Sequence, residues 1–394
     1  MMTMKKAIQV VWILLIVVGC GAQGQAQTSV EAGPFQESIQ AQLEALDLDV
    51  LLGFKERLER EYHDFVPSLN WQDLLRGGGD TPSPAGFVVL LLRHLLRELY
   101  LSLHLLRQLV VIGILAALLQ RLSSSFGIPG VVDVAFAVCF LVLVILGLQS
   151  FKIASSVATE AVGEMVGFMY ALIPMLSSLL VAVGGITSAT VFHPLLWALV
   201  GGIAGLVQRL LFPMILLSTA FSLMSHFSAD LPFPRLGNLL RQGVITLLAL
   251  FFIVFSGFMV VRGAIAPVTD GISLRTAKYL TKTLIPIAGG MFADTLEVVV
   301  GGSLLIKNAV GIFGLVMIVF MVAAPVLKVL AMVLIYKIVS AVLEPLCDRR
   351  VVQVLGTMEA SLTLVLIALI TVALMLFLAI VILVGIGNVA VLMR

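Results

Sequence analysis

Residues 263–311 read GAIAPVTDGISLRTAKYLTKTLIPIAGGMFADTLEVVVGGSLLIKNAVG and hold the side chains with the most chemistry in a chain of long apolar runs. Asp294 and Glu297 lie three apart and share one helix face, the spacing of a carboxylate pair suited to acid–base work. Lys307 follows with the opposite sign, and Asn308 is beside it. Asp270, Arg275 and Lys278 come earlier in the same stretch. A charge at the centre of a membrane helix costs at least about 2.5–3.5 kcal/mol on insertion scales. Two readings therefore compete for these residues. In the first, Asp294 and Glu297 complement a helix start or pair with Lys307. In the second, the stretch is a polar strip that lines a conduit or meets a partner. Pro286, Gly289, Gly290, Gly301 and Gly302 are the candidate bends that let it turn within or against the bilayer.

Constellations of the usual enzymes are missing from the sequence. His63, His94, His104, His193 and His226 are scattered without HExxH spacing, and no GxSxG, phosphate-loop or GxGD pattern occurs. Cys20, Cys139 and Cys347 have neither CxxC nor zinc-ligand spacing. The expectation is a protein that is not an enzyme, with no catalytic residue, metal or cofactor.

The elements around this stretch belong to a membrane protein. Hydrophobic residues make up 60% of the chain, charged residues 12%, and the mean hydropathy is +1.14. Soluble domains hold about 45–50% apolar and about 25% charged residues. A net charge of +2 argues against nucleic acid and leaves membrane lipid as the general partner. From residue 28 to 107 there are 12 acidic and 7 basic residues; from 108 to 394 there are 10 and 15. The first region faces water or the interface, and the second is the membrane body.

Residues 1–26 read as a signal peptide: Lys5 and Lys6, an apolar core, then small residues up to Gly24-Gln25-Ala26. A lipidated Cys20 and an uncleaved anchor helix are the alternatives. All three place the following region outside the cytoplasm. Within residues 27–86, Ile39, Leu43, Leu46, Val50, Phe54 and Leu58 recur at helical steps, so 36–62 is an amphipathic helix. It packs on itself or on the bilayer, or docks a partner. A Gly/Pro linker at 76–84 leads into the transmembrane domain, 87–394. Arg93, Arg97, Tyr100, His104 and Arg107 form a stripe on a helix over 87–119, suited to lipid headgroups.

Further apolar runs of span length fall at 131–150, 165–187, 191–226, 239–261, 312–325, 326–343 and 361–386. The run 191–226 is either one helix kinked at Gln208-Arg209 and Pro213 or a tight hairpin. The fold expected is all-α: a polytopic helical bundle of about eight spans after a signal peptide, with an extracytoplasmic amphipathic N-terminal region. On that count the basic loops at 262–282 and 349–350 are both cytoplasmic, provided 284–307 does not cross.

Asp270-Gly271, Arg275-Thr276-Ala277-Lys278, Ile285-Pro286, Gly289-Gly290, Asp294 and Lys307-Asn308-Ala309-Val310-Gly311 resemble the signature of the stage III sporulation protein AE family of endospore-forming bacteria. The resemblance covers nearly the whole chain, although the first 85 or so residues match in character only. It implies a multi-pass protein of the mother-cell membrane at the forespore septum, in a channel or secretion-like complex. The partners it implies are the other stage III sporulation A-group membrane proteins and, through them, the forespore protein Q. An autonomous secondary transporter for a small solute, binding at mid-membrane, is the competing reading of the same polar block.

Overall fold

The computed structural model describes residues 49–61, 84–126, 129–225, 234–284 and 289–392. The signal peptide, the Gly/Pro linker and Pro286 lie outside the described residues. Everything regular among those described is helical, as expected for backbone that must satisfy its own hydrogen bonds in lipid. The helices are α1 (Asp49–Glu61), α2 (Pro84–Leu101), α3 (Leu103–Phe126), α4 (Pro129–Ala182), α5 (Ile186–Leu206), α6 (Phe212–Met224), α7 (Pro234–Leu284), α8 (Gly289–Leu343) and α9 (Arg349–Leu392). A π-helical turn, Val207–Leu211, joins α5 to α6.

Local sequence sets the helix boundaries. α2, α4 and α7 each begin with proline, which has no N–H to leave orphaned at that position. Gly184, at φ 93°, supplies the left-handed residue between α4 and α5. Asp348 caps α9, its Oδ1 accepting from Arg350 N at 3.3 Å.

Six runs among the described residues are long and apolar enough to cross a membrane: Leu103–Arg121, Ala137–Ala182, Ile186–Met224, Arg235–Ile272, Val299–Leu343 and Arg349–Asn388. This differs from the eight expected windows in a simple way. Window 131–150 and window 165–187 as far as Ala182 lie on one continuous helix, α4, and windows 312–325 and 326–343 lie on another, α8. Pro325 sits inside α8 and Pro174 inside α4 without ending either helix, as prolines are tolerated in membrane helices. The 191–226 run is the single-helix alternative, with the π-turn at Gln208-Arg209 taking up the irregularity. The helix expected over 87–119 divides at Ser102 into α2 and α3, and its polar stripe stays exposed on both halves.

α8 and α9 form an antiparallel hairpin at the centre, and their spans are the most buried of the six. Gly314 of α8 packs against Leu172 of α4 and Ile380 of α9. Gly147 packs against Met358, and Tyr336 Oη donates to Ser150 Oγ at 2.9 Å. These pairs make α4 parallel to α9 and antiparallel to α8. α7 also runs with α9: Gly263 meets Ile382, and Gly237 sits by Ser222, near the Thr219–Ser361 bond. α1 docks on α4 through Phe54, edge-on to Phe168 with ring centroids 5.7 Å apart. That packing differs from the expected contacts of the amphipathic region: the part described lies against the chain's own membrane helix.

α8 runs unbroken for 55 residues, about 82 Å. Among the described residues, the polar stretch therefore forms no separate re-entrant element. Its first part, to Leu284, completes α7, and from Gly289 it is the opening of α8. Of the candidate bends, Gly301 and Gly302 lie inside the continuous helix, and Gly289 and Gly290 at its start. The ends of α7 and α8 that carry residues 275–297 stand opposite the α8–α9 connection with Arg349 and Arg350. The two basic loops thus belong to opposite ends of the bundle. Arg121, Arg235, Arg241, Arg349 and Arg350 gather at one end, and Arg262, Arg275, Lys278 and Lys282 belong to the other. Such an even division gives the positive-inside rule little to choose between.

Candidate functional site

Lys307 is the centre of the best-formed polar site. It lies on the core face of α8 and is only 1% exposed. Its Nζ donates to the carbonyl of Val384 on α9, 2.5 Å away. A side chain on Gly387 would fall on the Lys307 Nζ, so the absence of one lets the amine reach across the helix pair. Gly311 makes room for Val384 in the same way, one turn along α8. Asn308 and Asn388 flank the contact, and the Oδ1 of each is buried with no hydrogen-bond partner among the described residues. Ser303, fully buried one turn before Lys307, donates back to Val299 O at 2.8 Å. The region thus holds a buried amine bonded to a backbone carbonyl and, one residue past Lys307 and past Gly387, two buried amide oxygens with no partner among the described residues.

Asp270 is also buried, at 1% exposure, but it does different work. Its Oδ1 accepts from the backbone N–H of Ser188 at 3.2 Å. Ser188 is in the first turn of α5, whose own N-cap, Gly185, makes no side-chain capping bond. A carboxylate from α7 therefore caps α5 in trans, where the helix dipole favours negative charge. Asp270 and Lys307 stand at the same end of the bundle but form no ion pair with each other. Arg275 and Lys278 are carried by the last turns of α7, and Asp294 and Glu297 by the opening turns of α8. The fold thus brings Lys307 and Asn308 together with Gly387 and Asn388, and brings Asp270 to Ser188. Val384, Gly387, Asn388 and Ser188 have no signal of their own in sequence; a lysine inside an apolar helix is the hint that such partners exist.

A second polar region lies halfway along α4. Lys152, Ser156, Glu160 and Glu164 recur at steps of four and are all exposed. Gln208 of the π-turn donates through Nε2 to Thr159 O at 3.3 Å, holding α4 to the α5–α6 junction. Arg209 beside it is exposed. π-turns inside helices are common at functional sites. The two apolar windows expected at 131–150 and 165–187 leave these residues in neither span, although their four-residue spacing is the signal of a helix face.

The opposite end of the bundle is tied by neutral and capping contacts. Gln120 of α3 donates to Asp348 Oδ2 at 3.0 Å, and Cys347 Sγ donates to Gly113 O at 3.2 Å. Burial first, and the Asp348 carboxylate second, push the Cys347 thiol up from its ordinary value, which keeps it in the unreactive form. Among the described residues no group of three or more His, Cys, Asp or Glu could hold a metal ion.

The family model described as stage III sporulation protein AE matches residues 70–387. The chain is 35% identical to the stage III sporulation protein AE of Bacillus subtilis (strain 168), over 97% of this chain and 99% of that one. No solved structure matches it.

Proposed function

Because this chain belongs to the stage III sporulation protein AE family, we propose that its part in sporulation is as a non-enzymatic membrane component of a channel or secretion-like complex between mother cell and forespore. It works there with the other stage III sporulation A-group membrane proteins and, through them, with the forespore protein Q. It sits in the mother-cell membrane at the septum, its N-terminal region on the side facing the forespore. The observation that carries the reading is 35% identity sustained along almost the whole length of both chains. Identity on that scale spans the central α8–α9 pair as well as the polar ends, so it is not the signature of one shared module.

The Lys307 site is the part of the molecule we assign to that role. A buried amine beside two amide oxygens with no partner among the described residues, at one end of the most buried helix pair, is built to hold a fixed arrangement or to receive a polar group from a partner. The test is replacement of the gene in an endospore-forming host. Lys307→Met and Asp294→Asn are each expected to stop development after engulfment while vegetative growth stays normal, and the A-group proteins are expected to co-purify with the tagged wild-type chain. Normal spore yield from both variants would remove the polar stretch from the account. Solute uptake by the purified chain alone in liposomes, with no A-group protein recovered, would favour the autonomous transporter instead.

A further inference from the structure

α7 gives the height of the membrane. No charged residue falls between Arg241 and Arg262, a rise of about 31 Å, which matches a hydrocarbon core of about 30 Å. The neighbouring helices can be set against that ruler. Near the Arg241 end, Gly237 meets Ser222, and Thr219 bonds to Ser361. Near the Arg262 end, Gly263 meets Ile382. On α4, Gly147 lies at the height of Met358 and Leu172 at the height of Ile380. Glu160 falls midway between them and so stands near the centre of the apolar layer. Arg209 stands at the same height, because its neighbour Gln208 is bonded to Thr159.

Both side chains are exposed, and neither makes an ion pair among the described residues. Hydrocarbon cannot be what covers them, since an intramembrane charge facing lipid is strongly disfavoured. The two lie on adjacent helices, with Gly163 of α4 turned toward Gln208. Each belongs to a face of small residues. Ser156, Glu160 and Gly163 line up on α4; Gly202, Gly205 and Arg209 line up on the α5 side, with open space over both glycines. Small residues of this kind let helices from two chains approach closely.

We propose that this face is the contact surface for a second copy of the same chain, with Glu160 of each copy set against Arg209 of the other. The charges select that partner. A two-fold axis along the membrane normal preserves height and sets the left side of a face against the right side of its mate. An acid and a base side by side at one height are self-complementary under that operation. A shift along the normal, or a copy inserted upside down, loses the match.

The experiment uses full-length chains with Cys20, Cys139 and Cys347 replaced by serine or alanine. Two differently tagged copies are produced in one membrane, one carrying Glu160→Cys and the other Arg209→Cys, and treated with a short bifunctional maleimide. A product bearing both tags is expected, and none is expected when Ile253→Cys on the outer face of α7 replaces either partner. As a check that needs no cysteine, Glu160→Arg is expected to abolish co-purification of the two tags, and adding Arg209→Glu to the same chains is expected to restore it. The proposal is overturned if no two-tag product forms in membranes holding both chains. It is equally overturned if Glu160→Cys couples only to a different protein, or if it is labelled by a water-borne maleimide on a chain that never pairs.

Discussion

Gly387 and Lys307 form a pair in which one residue's lack of a side chain decides where the other's ends. Alanine at 387 improves helix propensity by roughly 0.5–1 kcal/mol. It also displaces a buried amine from its acceptor, worth about 0.5–1.5 kcal/mol, and over-packs a tight contact at a further cost of about 1–3 kcal/mol. The opposing terms leave Gly387→Ala destabilising, by about 0.5–4 kcal/mol. Combined with Lys307→Ala, the same substitution should cost much less, because the atom it strikes is gone. Thermal unfolding of the purified protein in detergent, for the two single variants and the double, reads this directly; simple additivity would separate the two residues. Lys307 was legible in the sequence as a charge out of place. Its acceptor was not, because Val384 offers only a backbone carbonyl on a helix distant in the chain, and every residue has one. Asp270 was legible as a polar residue of the candidate stretch, but within a basic loop; its burial and its capping bond in trans to α5 depend on packing that composition does not encode.

At the scale of elements, apolar windows were found and their joins were not. Lys152, Glu160 and Glu164 interrupt the apolar run in α4 and split it into two windows, yet the helix passes through them without a break. Hydropathy reports what a residue prefers to face; it does not report whether the backbone turns. The real turns are made by other devices: Gly184 between α4 and α5, and Asp348 before α9. Asp348 serves two helices at once, capping α9 and accepting from Gln120 of α3. Asp348→Ala should therefore cost about 0.5–2 kcal/mol for the cap, with the loss of the Gln120 bond in addition. Gln120→Ala alone should cost less, since the cap survives it. Limited proteolysis of the α8–α9 connection in the two variants would rank them, and equal sensitivity would mean the cap contributes nothing.

For the whole molecule, the count of crossings fixes which ends meet which compartment. Six helices each crossing once put the α7–α8 connection and the α8–α9 connection on opposite sides of the membrane, whereas eight windows put the two basic loops together. Single cysteines placed at Thr276, exposed near the end of α7, and at Arg349 in a cysteine-free chain should show opposite accessibility to an impermeant maleimide in sealed vesicles. Labelling of both from one side would restore the eight-window arrangement. The central position of α8 and α9 also has a consequence for how the protein is made. Ribosomes deliver chain from the N-terminus at about 5–20 residues per second, and the two helices against which the others pack are delivered last. Until α9 emerges, the earlier helices can make only their contacts with one another, such as Gln208–Thr159 and Gly237–Ser222, and the surfaces they later turn to α9 face lipid.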